Sequence, residues 1–140
     1  MLGLTYKNLA KIEESSKMYY KAIEFAEKSK YTQVEAKALT GLAELERIQN
    51  NFEEALSKHS ESIKILDKIG TKCDLAEAYF QQGLTYQKMG KFEPSEVNFD
   101  KAIELFTEME APRQVEKVQR EKLKNPQRGG TVGYSSGVNN

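Results

Sequence analysis

The side chains in this sequence whose types could do chemistry are one histidine, one cysteine and several paired carboxylates. A catalytic nucleophile needs a base and an orienting group at hand, and a zinc site needs three or four His, Cys or carboxylate ligands. His59 has no carboxylate or cysteine placed to complete either set, so a buried structural role is expected for it. A lone Cys73 excludes an intramolecular disulfide and a cysteine metal cluster, leaving an ordinary thiol in a turn. Glu13-Glu14 and Glu53-Glu54 have the look of acid–base pairs. Both fall in the first turn of a predicted helix, where negative charge suits the dipole, so catalysis is a poor explanation of them. Gly129-Gly130 and Gly133 hint at a phosphate loop, but no strand precedes them and no Gly-Lys-Ser/Thr follows. No catalytic residue, cofactor site or metal site is predicted, and the expectation is a protein that is not an enzyme.

Charge and hydropathy narrow the partners. Basic and acidic side chains number 21 each, so no net field steers the molecule onto nucleic acid or an anionic membrane. The stretch 113–128 is locally basic, with Arg113, Lys117, Arg120, Lys122, Lys124 and Arg128 against Glu116 and Glu121. It carries no interleaved aromatics for base stacking and reads as a solvated helix surface. No apolar run is long enough to cross a bilayer, and no basic-then-apolar leader opens the chain. A cytoplasmic location is the expectation, with neither nucleic acid nor membrane as partner.

The elements that position these side chains come from a repeat. Residues 2–30, 42–70 and 82–110 align without a gap. Small residues recur at Gly3, Ala43 and Gly83, at Ser15, Ala55 and Ser95, and at Ala22, Ser62 and Ala102. Bulkier groups recur at Tyr19, His59 and Phe99, and at Ile23, Ile63 and Ile103. A period of this size signals stacked supersecondary units. Apolar spacing predicts helices over 34–49, 53–69, 74–89 and 93–108. Asn50-Asn51 and Gly90-Lys91 mark turns inside two copies, Gly70 a C-cap, and Ala10-Lys11 a weaker turn in the first copy. Pro112 opens a final helix, about 113–124, in which Val115, Val118 and Leu123 can pack back while Lys117, Arg120, Lys122 and Lys124 face water. The repeat domain is expected over 1–124 (copies about 1–30, 34–70 and 74–110, cap 113–124), and the Gly-, Ser- and Asn-rich 125–140 as a disordered tail. Met1 stands where Gly41 and Gln81 stand in the later copies. The first helix therefore lacks a turn and a half, as in a piece of a longer protein or an end that something else covers.

These residues resemble the tetratricopeptide repeat. Tyr79, Gln82-Gly83, Tyr86, Gly90, Ser95, Phe99 and Ala102 stand at that family's positions, followed less closely by Leu39, Leu42-Ala43, Ala55, His59 and Ser62, and by Leu2-Gly3, Tyr6, Ser15, Tyr19 and Ala22. The large position lacks Trp, Asp67 and Thr107 replace the closing Pro, and the period exceeds the family's commonest of about 34 residues. The resemblance implies an all-α superhelix of three helix pairs plus a C-terminal capping helix. It also implies that the first helix of each pair lines a concave groove. Carried over by position, that groove holds Lys7, Asn8, Lys37, Thr40, Glu44, Arg47, Glu77, Phe80, Gln81, Leu84, Gln87 and Lys88, with Lys117 and Arg120 added by the cap. Phe80 and Leu84 are expected to anchor a partner's apolar side chains, the alternative being that Phe80 is extra core. The residues with which some members grip a C-terminal carboxylate are missing: Leu4, Gly41, Glu77 and Gln81 stand there instead. The implied function is a non-enzymatic module that binds a peptide or helix of another protein. The alternative is a regulatory or sensor segment of a larger protein, which could self-associate through its N-terminal edge.

Overall fold

The structure, a computed structural model, describes residues 6–126, with side chains from residue 8 onward. The described residues form six helices and no strand: α1 (Tyr6–Ser29), α2 (Thr32–Ile48), α3 (Phe52–Ile69), α4 (Lys72–Lys88), α5 (Phe92–Glu108) and α6 (Pro112–Lys122). Each helix from α2 to α6 begins and ends within two residues of its sequence-based expectation. The expected stacked all-α architecture is present. The pairs are α2 with α3 and α4 with α5, α1 precedes them, and α6 stands forty residues after α4 in the place of a next pair's first helix.

Local backbone chemistry ends the helices at regular steps. Lys30, Asn50, Gly70, Gly90 and Glu110 all take positive φ, one every twenty residues. At four of these, the next N–H donates to the carbonyl five residues back: Tyr31 to Ala26, Asn51 to Glu46, Lys91 to Tyr86 and Ala111 to Phe106, all at 2.8–2.9 Å. This left-handed closure satisfies carbonyls that a helix end would otherwise leave bare.

The first copy departs from the pattern. Ala10-Lys11, expected as a turn, lies inside the continuous α1. A left-handed residue there would set the Ala10 Cβ against the backbone, and alanine is the best helix former, so the helix continues where Asn50 and Gly90 break it. Residues 1–5, including Leu2-Gly3, lie outside the described residues, as does the predicted disordered tail from 127 onward.

Packing follows the small residues. A Cβ on Gly83 would stand 2.6 Å from two ring atoms of Phe99 and 3.2 Å from the Ser95 carbonyl. A Cβ on Gly41 would strike the Tyr19 ring. Ser95 Oγ donates to the Gly83 carbonyl at 2.9 Å and Ser62 Oγ to the Ala36 carbonyl at 2.8 Å, so close approach also satisfies the hydroxyls. One core gathers Ala76, Phe80, Phe99, Ala102, Phe106 and Val118, and a second Ala36, Leu66, Leu75 and Ala78. Helices α2 and α4 also touch, whereas α3 and α5 share at most a marginal contact, so the stack closes on the α2/α4 side.

Two expectations for the C-terminal end need correction. Leu123 is 72% exposed instead of packing back; only Val115 and Val118 do so. Asn125, assigned to the tail, is 2% exposed and belongs to the fold. Its Oδ1 accepts from Gln87 Nε2 at 2.9 Å and its Nδ2 donates to Ser95 Oγ at 3.3 Å, pinning the end of α6 to α4 and α5. Asn125→Ala is expected to cost about 1 kcal/mol by the usual worth of such bonds. Hydrogen exchange should then quicken in α6 before it does in α4 or α5.

Candidate partner-binding groove

The face that α2 and α4 share is built around one half-buried cation. Arg47 Nη1 donates to the Gln81 carbonyl at 3.1 Å and to Gln81 Oε1 at 2.9 Å, and Gln81 Nε2 donates to Glu77 Oε2 at 2.8 Å. Lys88 Nζ reaches the Arg47 carbonyl at 3.3 Å, and Gln33 Nε2 donates to Asp74 Oδ2 at 2.6 Å. Apart from the Gln81–Glu77 bond, which lies within α4, these bonds stitch α2 to α4. Burial raises the Glu44 carboxyl above its ordinary pKa, against the opposing pull of Arg47; burial likewise lowers the Arg47 guanidinium. A recess of about 170 Å³ opens between the two helices, lined by Lys37, Thr40, Glu44, Leu66, Asp74 and Glu77.

Beneath this row runs a buried polar chain. Thr85 Oγ1 donates to the Gln81 carbonyl at 3.1 Å, and His59 Nε2 lies 2.8 Å from the same hydroxyl. Because Thr85 uses its proton on Gln81, His59 Nε2 must donate, and buried Nδ1 is left with a bare lone pair and no partner. Burial first, and then the charge of Arg47, push the His59 pKa down to about 3. His59 occupies the place of Tyr19 and Phe99 in the other copies, as expected of a structural residue.

The expected groove residues divide into three groups. Lys37 and Lys88 are exposed, and Glu44, Arg47, Glu77 and Leu84 are half-buried. Thr40, Phe80 and Gln81 are buried, while Gln87 bonds the Glu121 carbonyl and Asn125 of the cap. Lys7 and Asn8, expected on a first helix of their own, belong to the continuous α1; Asn8 is exposed, and the Lys7 side chain lies outside those described. Phe80 is the main correction. It is 3% exposed, its ring centroid lies 5.9 Å from that of Phe99, and Lys117 Nζ lies over the ring, 5.1 Å from its centroid. Phe80 is taken up by the core that α4 shares with Phe99 and Phe106 of α5 and Val118 of α6, so it is not available as an anchor. The signal was present in the sequence, because Ala76, Phe80 and Gly83 fall on one helical stripe. Thr85 was missed outright, since a threonine in a helix carries no mark of a buried bonding role.

Three basic side chains of the cap have carboxylate partners. Arg120 pairs with Glu116 at 3.8 Å, Lys122 with Asp100 at 2.8 Å and Lys124 with Glu121 at 2.8 Å. Among the described residues no group of three or more His, Cys, Asp or Glu could hold a metal ion, and no helix is long and apolar enough to cross a membrane.

Two matches decide the family. Residues 34–108 match the Tetratricopeptide repeat, and residues 1–29 match it again. The chain belongs to the tetratricopeptide repeat family. Among curated proteins no relative matches it. Tetratricopeptide repeats generally mediate protein–protein interaction and are typically non-catalytic, so a protein partner is the coarse functional meaning of the fold. The α2/α4 seam is polar where an aromatic anchor was expected, because Phe80 is enclosed in the core with Val118 of α6.

Proposed function

We propose that this tetratricopeptide repeat protein is a non-enzymatic interaction module, binding a peptide or helix of another protein along the α2/α4 face. The observation that carries this reading is the fixed position of Arg47, held twice by Gln81 while Gln81 also holds Glu77. Charged ends that are already ordered lose little entropy on binding, so the ordering cost falls on the partner. With Phe80 enclosed, recognition rests on mixed charge: Lys37 and Lys88 are exposed and can meet carboxylates, and Glu44 and Glu77 flank the recess to meet a cation. Specificity by charge arrangement suits such a face, since a wrong partner meets like charge. The paired basic side chains of α6 support a protein partner over nucleic acid, and the free Cys73 thiol fits the cytoplasm.

Lys37→Glu/Lys88→Glu changes two exposed side chains and is expected to leave helicity intact. Cross-linking in cells followed by mass spectrometry should show the partners of the unchanged protein lost, or at least tenfold reduced, with this variant. Undiminished capture of the same partners would place recognition elsewhere on the molecule.

A further inference from the structure

The array ends on an outer face that none of the described helices covers. Helix α6 holds the place of a first helix, and position 123 is the counterpart of Ala43 and Gly83. There the chain has Leu123, 72% exposed, where the earlier copies have the small residue that admits a second helix. A further helix therefore cannot close over α6 in the usual register, since even a Cβ on Gly83 would stand 2.6 Å from the Phe99 ring. The open N-terminal end of another copy is barred in the same way. The α4/α5 register pairs Gln82 with Asn98 and Gly83 with Phe99. Transferred to α6 and a second α1, it would drive Leu123 onto Tyr19 and set Lys122 against the exposed Met18.

Two recesses lie along this outer face. One, of about 600 Å³, is lined by Thr107 of α5, by Ala111, and by Pro112 and Val115 of α6. The other, of about 650 Å³, is lined by Ile103 of α5 and by Leu123 and Pro126. Both include Gln119, so they are the two ends of one trough between α5 and α6. We propose that two copies of this chain dock trough to trough, α6 antiparallel to α6, about a two-fold axis at Gln119. In that register Val115 of each copy meets Leu123 of the other, and Pro112 meets Pro126. Each exposed leucine thus enters the apolar recess of the second copy. Every contact is made twice, so the interface is self-complementary and closed. The residue on the axis meets itself. A charge would repel its own copy there, whereas the Gln119 amide has both donor and acceptor and can pair across the axis. The rims are charged: Glu110, Arg113 and Glu116 on the first recess, Glu96, Asp100 and Lys122 on the second. The register sets Glu116 opposite Lys122, brings Arg113 toward the Glu96–Asp100 rim, and leaves Glu110 at the margin. Lys122 keeps its 2.8 Å bridge to Asp100 of its own chain. The pair that Glu116 makes with Arg120 is long, at 3.8 Å, and exposed, so it contributes little and does not oppose the new contact. The proposal is independent of the α2/α4 groove and neither supports nor needs it.

The test is a disulfide trap in the full chain, with Cys73→Ser removing the native thiol. Gln119→Cys places one thiol beside its own copy on the axis, and mild oxidation at low protein concentration is expected to give a covalent dimer on a gel run without reductant. Met18→Cys, equally exposed but at the other end of the array, is expected to stay a single chain. Light scattering of the unchanged protein should give twice 15.9 kDa. Leu123→Glu changes an exposed side chain that the core does not use, and is expected to give a monomer of unchanged helix content. A single chain in light scattering of the unchanged protein overturns the proposal, whether the trough is empty or covered by the chain's own residues beyond 126. So does a trap that closes through Met18 as readily as through Gln119, or through neither. A dimer that survives Leu123→Glu overturns it as well.

Discussion

Phe99→Ala is expected to remove about 3–5 kcal/mol of unfolding free energy, the usual cost of deleting a buried aromatic side chain. The ring is fully enclosed, pressed on Gly83 from one helix and tilted against Phe80 from within the same core. Because a domain of this size is stable by only about 5–15 kcal/mol, the loss is a large share of the total. Urea unfolding followed by circular dichroism measures it, and the midpoint should fall with the slope unchanged. Gly83→Leu attacks the same contact from the other side and should cost about 1–3 kcal/mol by overpacking. The two sites touch, so Gly83→Ala combined with Phe99→Leu should be less harmful than the sum of the single changes. Additive costs would mean that the glycine and the ring do not meet as described.

The second large effect is acid sensitivity through His59. Its imidazole is neutral in the folded chain, with a pKa lowered to about 3, against 6.5 for the free side chain. Between those values the unfolded chain binds a proton that the folded chain refuses, so stability falls as pH falls through 6.5 and levels off near 3. At about 1.4 kcal/mol per pH unit, the loss attributable to His59 is about 3 kcal/mol by pH 4.5. The bare Nδ1 is the atom that would take the proton, and protonation there sets a second cation near Arg47. Glu44 acts in the opposite sense, because its raised pKa makes protonation favour the folded state. Comparing the unchanged protein with His59→Gln separates the two. The variant should lose about 3 kcal/mol less between pH 7 and pH 4.5 in urea titrations, and parallel losses would contradict the assigned environment of His59.

Sequence reading located the helices well because their ends are marked twice, by apolar spacing inside and by Asn50, Gly70 or Gly90 outside. Small and bulky residues recur at fixed offsets, and in the fold one small position, Gly83, meets one bulky position, Phe99. The candidate site was less legible. Lys37, Glu44, Arg47, Glu77 and Lys88 do line the α2/α4 face, since position on a helix fixes direction once the pairing is known. Phe80 was misplaced because the side it faces is decided by α6, a neighbour thirty residues on that covers what an open groove would expose. Asn125 looked like tail because its role depends on Ser95 and Gln87, two partners with no sequence signature for receiving it. The straight run of α1 shows the converse: Ala10 fits the repeat by position, but its own backbone preference decided the outcome.

The fit of Tyr19 against Gly41 has a consequence for how such arrays lengthen or shrink. Every unit has the same span, and excising residues 31–70 would join Lys30 to Thr71 with the left-handed closure still in place. The phenol would then confront Gln81 where Gly41 had made room for it. Neighbours in this protein are thus matched by bulk, each tall ring to its own hollow. Shuffling units of equal length would scramble an order that the backbone alone does not record.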